Sequence, residues 1–283
     1  MPVAFVDRLL GVFGECRAAM EGLERCTGNP AEHIHTLRKR GKRLRGGLVL
    51  FAAPKHVLHD LRDMGRMLGA SRDAAVRQAT LRGLRAEPGE AFGGDAALNV
   101  AEALLAEEAS FGCGTPPPTV LGFLADRLAG VEAWLRAPRP DPAADSLVAR
   151  VGHLEQRALK RLENIARKGA RPPHFHEARK AVKRLHGALW FLRPASEVHA
   201  AKTMRRLVVL GDDLGGINDL DVLELWLNRA GLTAAHLPGL HRAMARRRHR
   251  LAVHVTRRAR ALAASLAAGN GEVSGKHLKD QCR

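Results

Sequence analysis

Apolar residues recur along this chain at steps of three and four, and no convincing stretch alternates at steps of two. That periodicity predicts amphipathic helices almost throughout, with no sheet. The predicted helices cover 3–26, 31–52, 55–69, 72–86, 95–111, 119–137, 145–168, 174–193, 197–213, 218–230 and 238–268. Helix-breaking residues separate them at Asn29-Pro30, Pro54, Pro88-Gly89, Gly112 to Pro118, Pro138 to Pro142, Gly169 to Pro173 and Pro194. The run Pro138-Arg-Pro-Asp-Pro142 marks the expected boundary between two helical repeats, residues 1–137 and 145–268. Residues 269–283 are Gly-rich and polar, and a frayed tail is expected there.

The two halves share sequence. His33-Ile-His-Thr-Leu-Arg-Lys-Arg-Gly-Lys-Arg-Leu-Arg45 returns as His174-Phe-His-Glu-Ala-Arg-Lys-Ala-Val-Lys-Arg-Leu-His186, with seven of thirteen positions identical at an offset of 141. Downstream, Leu68-Gly-Ala-Ser-Arg-Asp73 returns as Leu214-Gly-Gly-Ile-Asn-Asp219 at an offset of 146. Two blocks in one order, separated by one small indel, point to duplication.

At 100° per residue each block splits into two faces. In the first, Ile34, Leu37, Gly41, Leu44, Leu48 and Phe51 form an apolar face, and His35, Arg38, Lys39, Lys42 and Arg45 form a basic one. In the second, Phe175, Ala178, Val182, Leu185, Leu189 and Leu192 stand opposite His176, Arg179, Lys180, Lys183 and His186. Arg43 and Arg184 sit at the margins of the stripes. One face suits a bundle core and the other presents cations. A stripe from His35 to Arg45 extends about 15 Å, enough to meet several phosphates in a row. A solvated surface would interleave acids, because like charges four apart cost a helix about 0.2–0.5 kcal/mol per pair. Within the two blocks Glu177 is the one acid.

Composition sharpens this picture. The chain has 283 residues, 46 Lys+Arg against 29 Asp+Glu, and a formal net charge of +17, which attracts polyanions without fixing a fold. Arg157 and Lys160 on helix 145–168, and Arg246 and Arg250 on the last helix, are expected to add to the field; that last helix holds no acid between Arg242 and Arg260. Arginine forks suit phosphate oxygens and lysines act as mobile point charges. Aromatics make up 4% and Tyr is absent, which leaves few stacking platforms for single-stranded nucleic acid. Cys16, Cys26, Cys113 and Cys282 form no CxxC pair, so a disulfide scaffold or structural zinc is not expected. The N-terminus carries no secretory signal pattern and no apolar run is long enough to span a bilayer. A cytoplasmic protein without membrane insertion is expected.

Other motifs have plainer readings. His33-x-His35 and His174-x-His176 point about 200° apart on a helix, so a shared metal is disfavoured. Asp73 and Asp219 fall at predicted helix starts, where capping is the expected role and orientation of a stripe arginine the second. Gly46 and Gly187 match across the repeats and imply close approach by a phosphate chain or by another helix. Gly211-Asp-Asp-Leu-Gly-Gly216 reads as a helix turn. Asp212-Asp213 with Asp219-x-Asp221 could hold magnesium in a polyphosphate hydrolase, but no catalytic motif accompanies them. No cofactor is expected.

The pattern His-x-x-Arg-Lys-x-x-Lys-Arg-Leu, followed by Leu-Gly-x-x-(Arg/Asn)-Asp and then repeated, resembles the CHAD family, the conserved histidine α-helical domains. The resemblance spans about residues 5–268 and looks like the family's stand-alone form. It implies two four-helix-bundle-like halves related by a pseudo-twofold axis, with basic helices lining a central channel or cleft. It also implies inorganic polyphosphate as the ligand and no catalytic chemistry. The family's histidines correspond to His35 and His176, and its basic positions to Arg38, Lys39, Lys42, Arg43, Arg45, Arg179, Lys180, Lys183 and Arg184. The chain departs from the family at His186, where a basic residue is usual, and at Gly211, where Gln is frequent. A polyphosphate binder would be expected on polyphosphate granules. The rival partners are nucleic acid and an acidic protein.

Overall fold

The structure is a computed structural model and describes residues 2–87, 96–112, 115–138, 143–168, 172–192 and 198–269. Among these residues every regular element is a helix: α1 (Pro2–Glu24), α2 (Pro30–Leu50), α3 (Lys55–Met67), α4 (Gly69–Arg85), α5 (Ala96–Gly112), α6 (Pro118–Arg136), α7 (Ala144–Lys168), α8 (Pro172–Leu192), α9 (Val198–Arg229) and α10 (Pro238–Gly269). The predicted breaks at Pro88-Gly89 and Pro194, most of the Pro138–Pro142 boundary, and the tail beyond Gly269 lie outside the described residues.

Two predicted helices, 197–213 and 218–230, are one. The glycines Gly215 and Gly216 lie inside α9 and do not break it. The reason is an apolar stripe that passes through them in phase: Met204, Leu207, Leu210, Leu214, Ile217, Leu220, Leu223 and Leu227 are all buried. Packing on one continuous stripe outweighs the roughly 1 kcal/mol that each helical glycine costs. Gly216 also makes room for Leu251 of α10, whose Cδ1 would lie 3.1 Å from a Cβ there.

Among the described residues the helices enclose three apolar cores. The first takes α1, α2, α3 and α6, and also Leu147 and Val151 of α7 with Ala188 and Phe191 of α8. Asp60 on α3 is ion-paired with Arg127 on α6 and fixes that contact. The second core lies between α7, α8, α9 and α10. The third joins Leu81 and Leu84 of α4 and Leu98 and Leu105 of α5 to Leu220, Leu223 and Leu227 of α9 and Leu240 and Met244 of α10. The apolar packing therefore continues across the sequence boundary. The α4–α5 pair of the first repeat packs on the second, and the end of α8 completes the core of the first.

A candidate anion-binding surface where the two stripe helices cross

Helix α2 starts at Pro30, with Asn29 as its N-cap accepting from Ala31 N at 3.0 Å. Its predicted apolar face is the one that packs: Ile34, Leu37, Gly41, Leu44 and Leu48 are buried. On α8 the same holds for Phe175, Ala178, Val182 and Leu185. The two helices also touch each other, and they do so at the glycines that match across the repeats. A Cβ on Gly46 would stand 3.1 Å from the carbonyl carbon of Gly187 and 3.2 Å from its Cα. Of the two partners foreseen for these glycines, the structure places another helix there.

The ends of these helices are tied reciprocally. Arg8 of α1 donates to the Phe191 carbonyl at the end of α8, at 2.9 Å, and Arg150 of α7 donates to the Leu50 carbonyl at the end of α2. Leu50 and Phe191 are separated by the same offset of 141. Each repeat thus supplies the arginine that satisfies the last carbonyls of the other's stripe helix.

The candidate residues fall into three groups by exposure. His35, Lys39, Lys42, His176, Lys180, Lys183 and Arg184 are exposed, as are Arg157 and Lys160 on α7 and Arg246 and Arg250 on α10. Arg43, Arg45, Arg179 and His186 are half-buried. Arg38 is buried, only 8% exposed, and donates to the Gly65 carbonyl of α3 at 2.9 Å. It sits about 40° from Ile34 around the helix, at the edge of the apolar face, where α3 packs. The Nε atoms of Arg38 and of its repeat equivalent Arg179 are both enclosed.

Several acids answer the basic helices, one from within α8 and the others from outside α10. Glu177 lies 3.1 Å from Lys180 and 3.8 Å from Arg161. The Lys180 hydrogen bond, helped by the charges of Lys180, Arg161 and His176, holds its carboxyl below the usual range. On α10, Arg250 pairs with Glu87 at 2.5 Å and Arg247 with the same carboxylate at 3.4 Å. Arg248 pairs with Asp221 and Glu224 at 2.9 and 2.6 Å, and Arg258 with Asp213. The acid-free run of α10 thus finds its counter-charges on α9 and just beyond α4. The paired carboxylates at 212–213 and 219–221 include two of these partners.

Capping, the expected role of Asp73 and Asp219, is overturned. Asp219 lies in the middle of α9, and α4 begins four residues before Asp73. Asp73 and Arg38 both flank Gly69: Arg38 Nη1 and Asp73 Oδ2 lie 3.4 and 3.9 Å from where a Cβ on Gly69 would be. His33, in the first turn of α2, reaches back to the α1–α2 connection, with Nε2 2.7 Å from the Thr27 carbonyl and the ring packed over Gly22. Among the described residues no three His, Cys, Asp or Glu side chains gather as a metal would need.

Arg43 and Arg45 straddle the crossing, about 60° and 100° to either side of Gly46. Burial pushes Arg45 below its usual pKa, and the charges of Arg184, Arg62 and Arg66 push further, with Asp63 opposing. Burial likewise lowers Arg43, with Arg40 adding and Glu15 opposing. Arg43 also lies 4.2 Å from the Trp190 ring centre. Burial lowers His186 as well, followed by Arg43 and Lys183, while Asp212 raises it. The pairs exchange under the repeat offset: Arg45 meets Arg184, and Arg43 meets His186. Sequence reasoning missed Arg62 and Arg66, whose signal was their spacing of four on the helix after the first stripe.

A family model for the CHAD domain matches residues 11–228. The chain belongs to the CHAD-domain family. The matched span stops short of α10, although α10 completes the second and third cores. The crystal structure of the CHAD domain from the plant Ricinus communis superposes with a TM-score of 0.65, at 23% identity, over 95% of this chain and 92% of that one. At that identity the likeness shows the fold. No curated protein matches the chain. No helix among the described residues is long and apolar enough to cross a membrane.

Proposed function

We propose that this CHAD-domain protein binds inorganic polyphosphate, without chemistry, along the basic surface that the two stripe helices share at their crossing. The CHAD family is associated with polyphosphate binding in general. The observation that carries the reading for this chain is the crossing itself. It brings the exposed Arg184 to the half-buried Arg45, and the half-buried Arg43 to the half-buried His186, with fewer carboxylates than cations around them. Like charges held together in a partly desolvated place oppose folding, and an anion bound between them removes that opposition. Exposed Lys39, Lys42, Lys180 and Lys183 extend the cationic face along both helices. Arginine forks grip phosphate oxygens bidentately and lysines follow a flexible chain as point charges. Binding needs no metal or cofactor in this scheme. The protein would be expected wherever polyphosphate accumulates, granules included.

The test is a titration against long-chain polyphosphate, duplex DNA and single-stranded RNA at matched phosphate concentration and salt. Charge alone predicts some binding to all three. Polyphosphate is expected to bind at least tenfold more tightly, because a thin flexible chain can follow the cations on both helices across their crossing where a broad duplex does not. Orthophosphate release is expected to stay at background during the incubation. Equal affinities would refute the polyphosphate reading, a preference for RNA would favour the nucleic-acid reading, and steady orthophosphate release would make the protein a hydrolase.

A further inference from the structure

The exchange of contacts across the crossing is close to reciprocal in the backbone and unequal in charge. The reciprocal frame is set by Gly46 against Gly187, and by Arg8 and Arg150 on opposite helix ends. At the second repeat offset, 146, the positions of Arg62 and Arg66 on α3 are taken on α9 by Val208 and Asp212. At the first offset, 141, Arg45 is replaced by His186. One end of the crossing therefore gathers Arg45, Arg184, Arg62 and Arg66. The carboxylate among them is Asp63, which bridges Arg62 at 3.2 Å and Arg66 at 3.5 Å. The other end has Arg43 stacked on Trp190, with Arg40, His186 and Lys183, and with Glu15 beside Arg43 and Asp212 against the histidine.

We propose that the crossing carries two unequal anion subsites, and that the end formed by Arg45, Arg184, Arg62 and Arg66 takes a compact phosphoanion of two or three linked phosphoryl groups by itself. The inference rests on the polyphosphate reading and says where along the surface the grip is strongest. Its physical basis is the balance of fixed charge. Four guanidiniums against one carboxylate leave a surplus that no pH near neutrality removes. At the other end Arg40, Arg43 and Lys183 are answered by two carboxylates, Glu15 and Asp212, with Glu15 ion-paired to Arg40 at 2.5 Å, and burial opposes the charged form of His186. Asp63 organises the strong end. By bridging Arg62 and Arg66 it holds two forks side by side on α3, while Gly46 and Gly187 let α8 bring Arg184 up to Arg45. A polyphosphate would then be anchored at this end and run past the weaker one.

The experiment is calorimetric titration with inorganic triphosphate and with long-chain polyphosphate at near-neutral pH. The proteins are wild type, the double variant R62Q/R66Q, the single variant H186Q, and R17Q/R136Q, whose exposed arginines pair with Glu132 away from the crossing. Triphosphate binding is expected to weaken at least tenfold in R62Q/R66Q, at least threefold less than that in H186Q, and not at all in R17Q/R136Q. Wild type that fails to bind long-chain polyphosphate would overturn the parent reading. Long-chain binding with triphosphate affinity equal in wild type and R62Q/R66Q would overturn the subsite alone, and so would an equal loss in H186Q. Should the double variant not fold, R66Q is read instead, at a side chain 70% exposed; a threefold loss supports the proposal and no loss overturns it.

Discussion

Replacing Gly46 by alanine is expected to destabilise the protein, whereas the same change at Gly187 is expected to stabilise it. A Cβ on Gly46 meets backbone: 3.1 Å to the carbonyl carbon and 3.2 Å to the Cα of Gly187, and 3.5 Å to the nitrogen of Ala188. A Cβ on Gly187 meets the Gly46 Cα at 3.6 Å, an ordinary contact. Backbone has no rotamer by which to retreat, so the first change must part the helices by about 0.3 Å at a point where both are anchored by fully buried residues, Leu44 and Leu48 on α2 and Leu185 and Ala188 on α8. Overpacking of this kind costs about 1–3 kcal/mol, against about 1 kcal/mol gained by removing a helical glycine. The net is a loss of about 1 kcal/mol for Gly46→Ala and a gain of about 1 kcal/mol for Gly187→Ala. For a chain of this size each kcal/mol moves Tm by roughly 2 °C, so the two variants should melt about 4 °C apart. Thermal unfolding followed by far-UV circular dichroism reads this directly. Equal melting temperatures, or a more stable Gly46→Ala, would refute the described approach of α2 to α8.

Three further outcomes are expected. Reversing Lys39 and Lys42 to Glu, or Lys180 and Lys183 to Glu, should weaken long-chain polyphosphate binding at least tenfold, about 1.4 kcal/mol, while far-UV spectra stay unchanged; equal loss in the control R17E/R136E would mean a diffuse field. His186 is lowered from 6.5 by burial, so the unfolded chain binds its proton first, and the stability it contributes is present above pH 6.5 and lost as pH falls through the folded value. The acid-side drop in Tm between pH 7 and 5 should therefore be smaller in H186Q than in wild type, and an identical pH profile would refute the assignment. Cys16 is fully buried and its thiol is pushed up to about 12 by burial, with Glu15 adding, so alkylation mapped by mass spectrometry at neutral pH should spare it until the protein unfolds, while exposed Cys26 reacts at once.

Periodicity determined much of this protein by itself, because it is a local record of which side of each helix avoids water. The apolar faces of α2 and α8 were legible residue by residue from Ile34 to Leu48 and from Phe175 to Leu185, as were the exposed lysines opposite them. The duplicated blocks carried the family, since thirteen-residue repeats with fixed cationic positions are specific. Even the continuity of α9 was written in the phase of its leucines, and was missed only because Gly215 and Gly216 were given more weight than the stripe. What periodicity does not encode is the neighbour that covers a given angle around a helix. Arg38 and Lys42 sit about 40° apart on α2, yet α3 covers the first and leaves the second in water. The arginines of α10 looked unneutralised because their counter-charges arrive from Glu87 and from Asp213, Asp221 and Glu224, which lie 24 or more residues away in sequence. Arg62 and Arg66 joined Arg45 only once α3 had folded back on α2 and α8 had crossed at Gly46. The charge of each stripe was fixed by the sequence; which of its cations stand together, and which are already answered by a carboxylate, was decided by packing between elements far apart in the chain.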